Sequence, residues 1–384
     1  MVGMVGAGQL ARMTCQASVS LGIGFRVLAA EAGESAAQVC ARTQIGDYRW
    51  LDDLRDFSSG CDVVTFDHEH VPSQHLEILE QAGVRLRPGP EALRYAQDKR
   101  AMRERLAGLG VPCPQSAAAS GLGDVTGFAE RSGWPVVLKA VSGGYDGRGV
   151  WVCGTPDDAA AVLAHGLDLI VEEHISFERE LAVLVARSPG GQAAVYPVVQ
   201  TVQRDGICRE VLAPAPGLSV DSALAAQRLG IDIAAGLEVT GMLAVEMFQT
   251  PDGLLVNELA MRPHNSGHWT IEGARTSQFE QHLRAVLDLP LGSPALAAPH
   301  AVMVNVLGGD DHPQPAARRL GAVADHLARH PVGGDHVGFP RHAELLQRGD
   351  RRLHHRPVRV AAHDHADNRP AVHVTLPGTH ARHR

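Results

Sequence analysis

The chain has 384 residues, 45% hydrophobic content and a formal net charge of −8, a length that calls for two or three domains with separate cores. No apolar run reaches the roughly 20 residues that span a bilayer, and the start MVGMVGAGQL lacks the basic flank and cleavage site of a secretory signal. Six cysteines without C-x-x-C spacing speak against a zinc ribbon or a disulfide-stapled fold, so the expectation is cytoplasmic, with no membrane partner.

In chain order, VGMVG (2–6), FRVLAA (25–30) and CDVVTFD (61–67) read as parallel strands buried on both faces, with helix patterns at 9–21 and 75–82 between them. This predicts a small βαβ domain over 1–95. PGPEAL (88–93) reads as a turn and 97–112 as a linking helix stopped by Gly110 and Pro112, while 116–127 is small-residue, flexible text. A second unit, 96–190, then contains WPVVLKAV (134–141), a glycine loop, GVWVC (149–153), a helix, LIVEEHI (169–175) and ELAVLVAR (180–187). A third, 191–311, contains AAVYPVVQTV (193–202), a helix over 220–236, paired strands at 242–250 and 253–260, an amphipathic helix near 277–288 and the strand AVMVNVLGGDD (301–311). From 312 to 384 the text changes: 12 arginines face 6 acids, and 12 of the 21 histidines lie there, with 317–330 the one helix-like stretch.

Lysine is nearly absent. Only Lys99 and Lys139 stand among 35 basic residues, and a compact ammonium is not replaceable by a guanidinium where a point charge must fit between phosphates. Lys139 ends an apolar strand and precedes GGYDGRG (143–149), in which Gly143, Gly144, Gly147 and Gly149 free the backbone to wrap phosphates. Arg148 could neutralise charge there and Asp146 orient a donor; a plain hairpin connection is the bland alternative. EEHISFERE (172–180) reads as a strand end that could offer its backbone and one carboxylate to a nucleotide. Glu246 and Glu258 each interrupt an apolar run, and the turn at 251–253 would pair them on one inner face. Two such carboxylates need a cation, for which magnesium with substrate phosphates is the natural choice, helped by the Asn257 oxygen. RPHNSGHWT (262–270) has the polar density of a substrate loop. GAGQLA (6–11), followed by Glu31, also fits a dinucleotide turn, so an NAD(P)-binding oxidoreductase is a rival reading.

The segments VGAGQLARM (5–13), TFDHEHVP (65–72), AQDK (96–99), VVLKAVSGGYDGRGVWV (136–152), LIVEEHISFERELAVL (169–184), VYPVVQTVQRDGICRE (195–210) and VNELAMRPHNSGHWTIEGARTSQFEQHLRAVLDLPLG (256–292) together resemble the ATP-grasp superfamily, and within it the N5-carboxyaminoimidazole ribonucleotide synthases. The resemblance implies a three-part α/β ATP-grasp fold: an N-terminal βαβ pre-ATP-grasp domain, a small α+β lid and a larger α+β catalytic domain. It implies substrates ATP, bicarbonate and aminoimidazole ribonucleotide, with Mg2+ (or Mn2+) as cofactor, a homodimer and no nucleic acid. By matched position, Lys99 and Lys139 meet ATP phosphates with the glycine loop. Glu172, Glu173 and Ile175 line the base, Glu180 meets the ribose, and Gln203 stands where relatives often carry histidine. Glu246 and Glu258 hold the metal with Asn257. Tyr145, Asp146 and Arg148 close over bicarbonate and imidazole, Glu69, His264 and Asn265 surround the ribonucleotide, Arg262 and Ser266 bind substrate, and Gly8, Gln9 and Leu10 lie near its phosphate. The family's R-P-G-R-K-x-G-H segment is missing, since no lysine follows Lys139. A frameshifted C-terminus or a disordered tail would produce this change; a basic nucleic-acid tail or a metal site around His354, His355, His363 and His365 are rivals. An impaired ATP-binding homologue and another ATP-grasp ligase are the alternative functions.

Overall fold

The computed structural model describes residues 1–144, 148–204 and 206–305, and the backbone of strands at 359–364 and 370–375. The N-terminal unit runs β1 (Val2–Val5), α1 (Gln9–Ser20), β2 (Phe25–Ala29), β3 (Thr43–Ile45), α2 (Leu51–Ser58), β4 (Val63–Phe66) and α3 (Ser73–Gln81). Its strands form a parallel sheet in the order β3-β2-β1-β4. Every residue of β1 and β4 is buried, which is why both read as unbroken apolar runs; the short half-exposed β3 carries no such signal.

The expected linking helix is preceded by a separate one. α4 (Pro90–Gln97) ends at Asp98, whose extended backbone breaks the helix and whose carboxylate accepts from the Ala101 N–H at 2.9 Å to start α5 (Lys99–Gly108). The break puts Lys99 at the head of a helix. The lid follows: β5 (Ser116–Ala118), α6 (Leu122–Ser132), β6 (Val136–Ala140), β7 (Val150–Cys153), α7 (Pro156–Leu163) and β8 (Leu169–Glu173), an antiparallel sheet ordered β5-β8-β6-β7. Residues 116–127, expected to be flexible, instead build β5 and the start of α6. Asp124 accepts from the N–H groups of Ser120 and Gly121, and Val125, Phe128 and Ala129 bury one helix face.

Among the described residues the large sheet holds nine strands: β9 (Arg179–Arg187), β10 (Ala193–Val195), β11 (Val199–Arg204), β12 (Ile207–Ala213), β13 (Gly241–Thr250), β14 (Gly253–Ala260), β15 (Ala301–Val304), β16 (Arg359–Asp364) and β17 (Pro370–Thr375). Their order is β14-β13-β9-β11-β12-β15-β17-β16, with β10 also on β9. Three expectations are corrected here. β9, assigned to the second unit, lies between β13 and β11 at the centre of this sheet, so the boundary falls between β8 and β9 and not at 190. The run 193–202 is two strands, broken around Pro197, where Tyr196 is fully buried. The tail, expected to lack sustained structure, contributes β17 against β15 and β16 against β17. The expected helix at 317–330 lies outside the described residues, as do His354, His355 and His365; for His363 only the backbone of β16 is described.

Among the described residues the third unit also holds the α-helices α8 (Val220–Gly236), α9 (Thr270–Gly273) and α10 (Gln278–Val286). α10 is buried on nearly every side. Its Leu283 and Val286 join the core of β1 and α1, while Ala285 joins the cluster of Met242 and Leu184 in the large sheet. The first and third units are thereby packed together, which brings the strand ends of the N-terminal sheet to the loop after β14.

Candidate active site

The centre of the site is the β13–β14 hairpin. Counting from its turn, Thr250 pairs with Gly253, Phe248 with Leu255 and Met247 with Val256. Continued unbroken, that register would set Glu246 opposite Asn257, and Glu258 would point to the other face, since side chains alternate along a strand. A β-bulge intervenes: Asn257 is skipped and Glu246 pairs with Glu258. The bulge therefore brings both carboxylates to one face, as the sequence suggested, and adds Asn257 beside them. Burial first, then the charges of Glu258 and Glu180, push the Glu246 carboxyl up to about 8.

Both lysines converge here. Lys99 Nζ lies 2.6 Å from Glu258 Oε1. Burial raises the Glu258 carboxyl, but the charge and hydrogen bond of Lys99 outweigh it and leave it below the ordinary value. Lys139 Nζ, on lid strand β6, donates to Asn257 Oδ1 at 2.9 Å and pairs with Glu172 Oε2 at 2.7 Å. The other oxygen of Glu172 takes Arg103 Nε at 2.7 Å. The Glu172 side chain is only 2% exposed, so its carboxylate is committed to two cations. The Glu172 side chain, expected along the nucleotide base, instead holds Lys139 and Arg103. Glu173 likewise accepts the Gln115 N–H at 2.7 Å, while Ile175 sits half-buried beyond the strand end. Glu180 on β9 is opposite Thr201 of β11, and its carboxyl, raised by burial, accepts the backbone N–H of Gln203. That amide is available because β11 and β12 slip register between Val202 and Gln203; Gln203 thus meets Glu180 through its backbone.

The glycine loop connects the antiparallel strands β6 and β7, so it is a hairpin connection as well as a candidate phosphate loop. Gly143 and Gly149 have φ of +75° and +77°, and a Cβ on Gly149 would stand 3.1 Å from Ala140. Gly144 packs against the Arg148 carbonyl, with the Arg148 side chain exposed. Tyr145, Asp146 and Gly147 lie outside the described residues.

On the opposite wall, the loop after β14 presents Arg262 and His264. Arg262 Nε is 2.9 Å from Glu69 Oε1 across the unit boundary. His264 Nδ1 accepts from the Ser266 N–H and meets its Oγ at 2.9 Å, which turns Nε2 to Glu246 Oε1, 3.8 Å away. Burial, then the Arg262 charge, hold this ring neutral, with its pKa down at about 3. Ser266 is fully buried; its expected substrate contact is corrected to orienting His264. Asn265 Oδ1 accepts from Asn305 Nδ2 at 2.7 Å. Gln278 clamps the loop, exchanging bonds with both backbone groups of His264 and reaching His268, whose Nε2 lies 3.3 Å from Gln9 Nε2. The N-terminal turn is also different from expectation. The Gly8 N–H, expected to face a phosphate, donates to Asp67 Oδ2 at 2.8 Å, with Leu10 half-buried beside it. Gly6, at φ +101°, is required because a Cβ there would fall 1.7 Å from Asp67 Oδ1.

Sequence reasoning missed Arg103, Asp67, Asn305 and Gln278, and took His268 only as part of the 262–270 loop. Asp67 ends an apolar strand, the same signal that selected Lys139. Arg103 has no such mark in a helix with three other arginines or lysines.

Against known proteins, residues 1–97 match the ribonucleotide synthetase preATP-grasp domain and 104–279 the ATP-grasp domain. The N5-carboxyaminoimidazole ribonucleotide synthase of Mycobacterium tuberculosis is 54% identical over 343 residues, 88% of this chain and 79% of its own length. That of Corynebacterium ammoniagenes is 49% identical over 319 residues, 81% of this chain and 77% of its own. The crystal structure of the Thermus thermophilus synthetase superposes with a TM-score of 0.80 at 34% identity, over 98% of this chain and 94% of that one. The Aspergillus clavatus enzyme in complex with ADP and 5-aminoimidazole ribonucleotide gives 0.80 at 29% identity, over 98% and 93%. These matches cover the helix that carries Lys99 and the strands that carry Lys139, Glu246 and Glu258, and they leave the dinucleotide reading without support. The chain belongs to the N5-carboxyaminoimidazole ribonucleotide synthases, ATP-dependent ligases of the ATP-grasp superfamily.

Proposed function

We propose that the chain uses ATP and bicarbonate to carboxylate the amine of 5-aminoimidazole ribonucleotide, releasing ADP and phosphate, as a step of purine biosynthesis. The observation that carries this reading is the cross-strand pair Glu246–Glu258, with Lys99 and Lys139 brought to it from a helix and from the lid. A bicarbonate oxygen attacks the γ-phosphorus and the bond to the ADP oxygen breaks, giving carboxyphosphate. The amine nitrogen then attacks the carboxyl carbon, phosphate leaves with the C–O electron pair, and the nitrogen sheds a proton. Such transfers depend on positioning and charge neutralisation more than on covalent help. Lys99 and Lys139 hold the phosphates, Glu180 and the strand edge at 173–175 hold the nucleoside, and Arg262, Glu69, His264 and Asn265 line the ribonucleotide. The closing role of Tyr145, Asp146 and Arg148 rests on the resemblance.

Glu246 and Glu258, beside the Asn257 oxygen, are the residues that would hold Mg2+ or Mn2+, which supplies charge neutralisation to the phosphates when bound. The crowding that raises Glu246 fits a divalent ion. So does the donor set, since two carboxylates and an amide oxygen suit a hard divalent ion that completes its shell with substrate oxygens. A cytoplasmic homodimer belongs to the same reading and rests on resemblance; light scattering tests the dimer. Among the described residues no helix is long and apolar enough to cross a membrane.

The test is ADP release with each substrate omitted in turn, with the carboxylated product followed in parallel. Release that requires both bicarbonate and ribonucleotide supports the reading. The absence of lysine after 139 favours one second reading, an ATP-binding homologue impaired in acceptor capture. It predicts ADP release with bicarbonate that ribonucleotide does not raise, and no carboxylated product.

A further inference from the structure

Outside the residues assigned above, Arg103 is a buried cation with three side-chain hydrogen bonds. Its side chain is 5% exposed. Nε donates to Glu172 on lid strand β8, one terminal nitrogen donates to the Val256 carbonyl at 3.1 Å, and the other to the Asn257 carbonyl at 2.8 Å. The last two bonds are unusual in kind. Carbonyls of consecutive residues in a regular strand point to opposite edges, so one guanidinium can take both only where the strand is distorted. The distortion is the bulge at Asn257, the same one that brings Asn257 and Glu258 to the face of Glu246. The Val256 N–H on this strand is taken by the Pro112 carbonyl at 2.8 Å, so the chain just after α5 also seals the strand at that point.

The bonds close a ring: Arg103 to Glu172, Glu172 to Lys139, Lys139 to the Asn257 side chain, and the Asn257 backbone to Arg103. The ring joins the linking helix, two lid strands and the catalytic hairpin. We propose that Arg103 is a positioning residue for nucleotide binding, which locks the Asn257 bulge and, through Glu172, fixes Lys139 against it. The fork geometry is needed for this, since the three donors of an ammonium radiate from one nitrogen and cannot span acceptors that are spaced for Nε and both terminal nitrogens of a guanidinium. The proposal rests on the reading of Lys139, Asn257 and Glu258 as the ATP-phosphate and metal face, and extends it to a residue that touches neither.

The experiment compares Arg103→Met and Arg103→Lys with the unaltered chain, by steady-state kinetics and by calorimetric titration with MgADP. Arg103→Met should raise KM for ATP and weaken MgADP binding by about tenfold or more, the scale of lost support behind a site, with KM for the ribonucleotide unchanged. Arg103→Lys keeps the charge beside Glu172 and should recover part of the MgADP affinity. A variant that is merely less stable lowers the active fraction, so kcat falls while both KM values stay put; that result overturns the proposal. Equal loss in both KM values, or unchanged MgADP affinity in Arg103→Met, overturns it too. Thermal melts show whether Arg103→Met is folded, and if it is not, Arg103→Lys alone decides by its ATP-selective KM. MgADP titration does not involve the acceptor, so a wrong ribonucleotide assignment leaves this test intact, whereas failure of the unaltered chain to bind MgADP would sink the parent reading instead.

Discussion

His282 should make the packing of the N-terminal unit onto the catalytic sheet acid-sensitive. The ring is fully buried on α10; Nδ1 accepts the Met242 N–H of β13 at 3.1 Å, and Nε2 lies 2.8 Å from Thr65 Oγ1 of β4. Since Nδ1 must accept, the neutral ring carries its proton on Nε2 and donates it to Thr65. Burial lowers the pKa from 6.5 to about 3. The folded state thus refuses a proton that the unfolded chain accepts. Stability from this group is complete above pH 6.5 and falls as pH drops from 6.5 toward 3. Between pH 7.5 and pH 5.0 the loss is set by about 1.5 pH units at ~1.4 kcal/mol each, or about 2 kcal/mol. His282→Gln keeps a donor near Thr65 and cannot titrate. Its lost bond to Met242 costs about 1 kcal/mol at every pH and cancels when one protein is compared with itself. Urea unfolding of both proteins at the two pH values gives the test. The unaltered chain should lose about 2 kcal/mol more than the variant on acidification. Equal losses would refute the reasoning, as would a directly measured His282 titration above pH 5.

Lys139→Arg should raise KM for ATP by about tenfold or more, because the planar guanidinium cannot place one nitrogen between Glu172 and Asn257; the check is nucleotide titration of a variant with an unchanged melting temperature. Ser266→Ala removes the hydroxyl that meets His264 Nδ1 and should cost about 1 kcal/mol, read as a several-fold rise in ribonucleotide KM with KM for ATP unmoved. Gly6→Ala combines a positive φ with a Cβ 1.7 Å from Asp67 Oδ1. It should destabilise the N-terminal unit by about 1–3 kcal/mol in urea unfolding, whereas Gly108→Ala, where the added atom meets nothing within 4 Å, should not.

How much of this was legible in the sequence depends on which physical effect carried each feature. β1, β4 and the inner half of β13 were readable because strands buried on both faces admit few polar residues, and Glu246 and Glu258 stood out against apolar neighbours in β13 and in the half-buried edge strand β14. The two lysines were readable because arginine had displaced all others. Residues 116–127 were misread because small residues say little about structure that a capping carboxylate and three buried side chains can impose. β9 was misassigned since a buried strand looks the same whichever sheet receives it. The burial of Ser266 and the ion pairs of Glu172 were not legible: a motif shows which residues gather, and not which partner each side chain takes.

The bulge at Asn257 marks where sequence reasoning must stop. The turn at 251–253 dictates a register that pairs Glu246 with Asn257 and turns Glu258 away, so the inference that both glutamates share a face was right for a reason the hairpin alone does not contain. One skipped residue reverses the facing of everything beyond it. The free energy that holds the skip comes from outside the hairpin, from a guanidinium on the linking helix and a carbonyl just after it. The common facing of Glu246 and Glu258 is therefore set by contacts between groups more than 140 residues apart in sequence. The same guanidinium grips the lid through Glu172. Aim of the carboxylates and placement of Lys139 are in this way one structural variable, and a change at Arg103 should move both together.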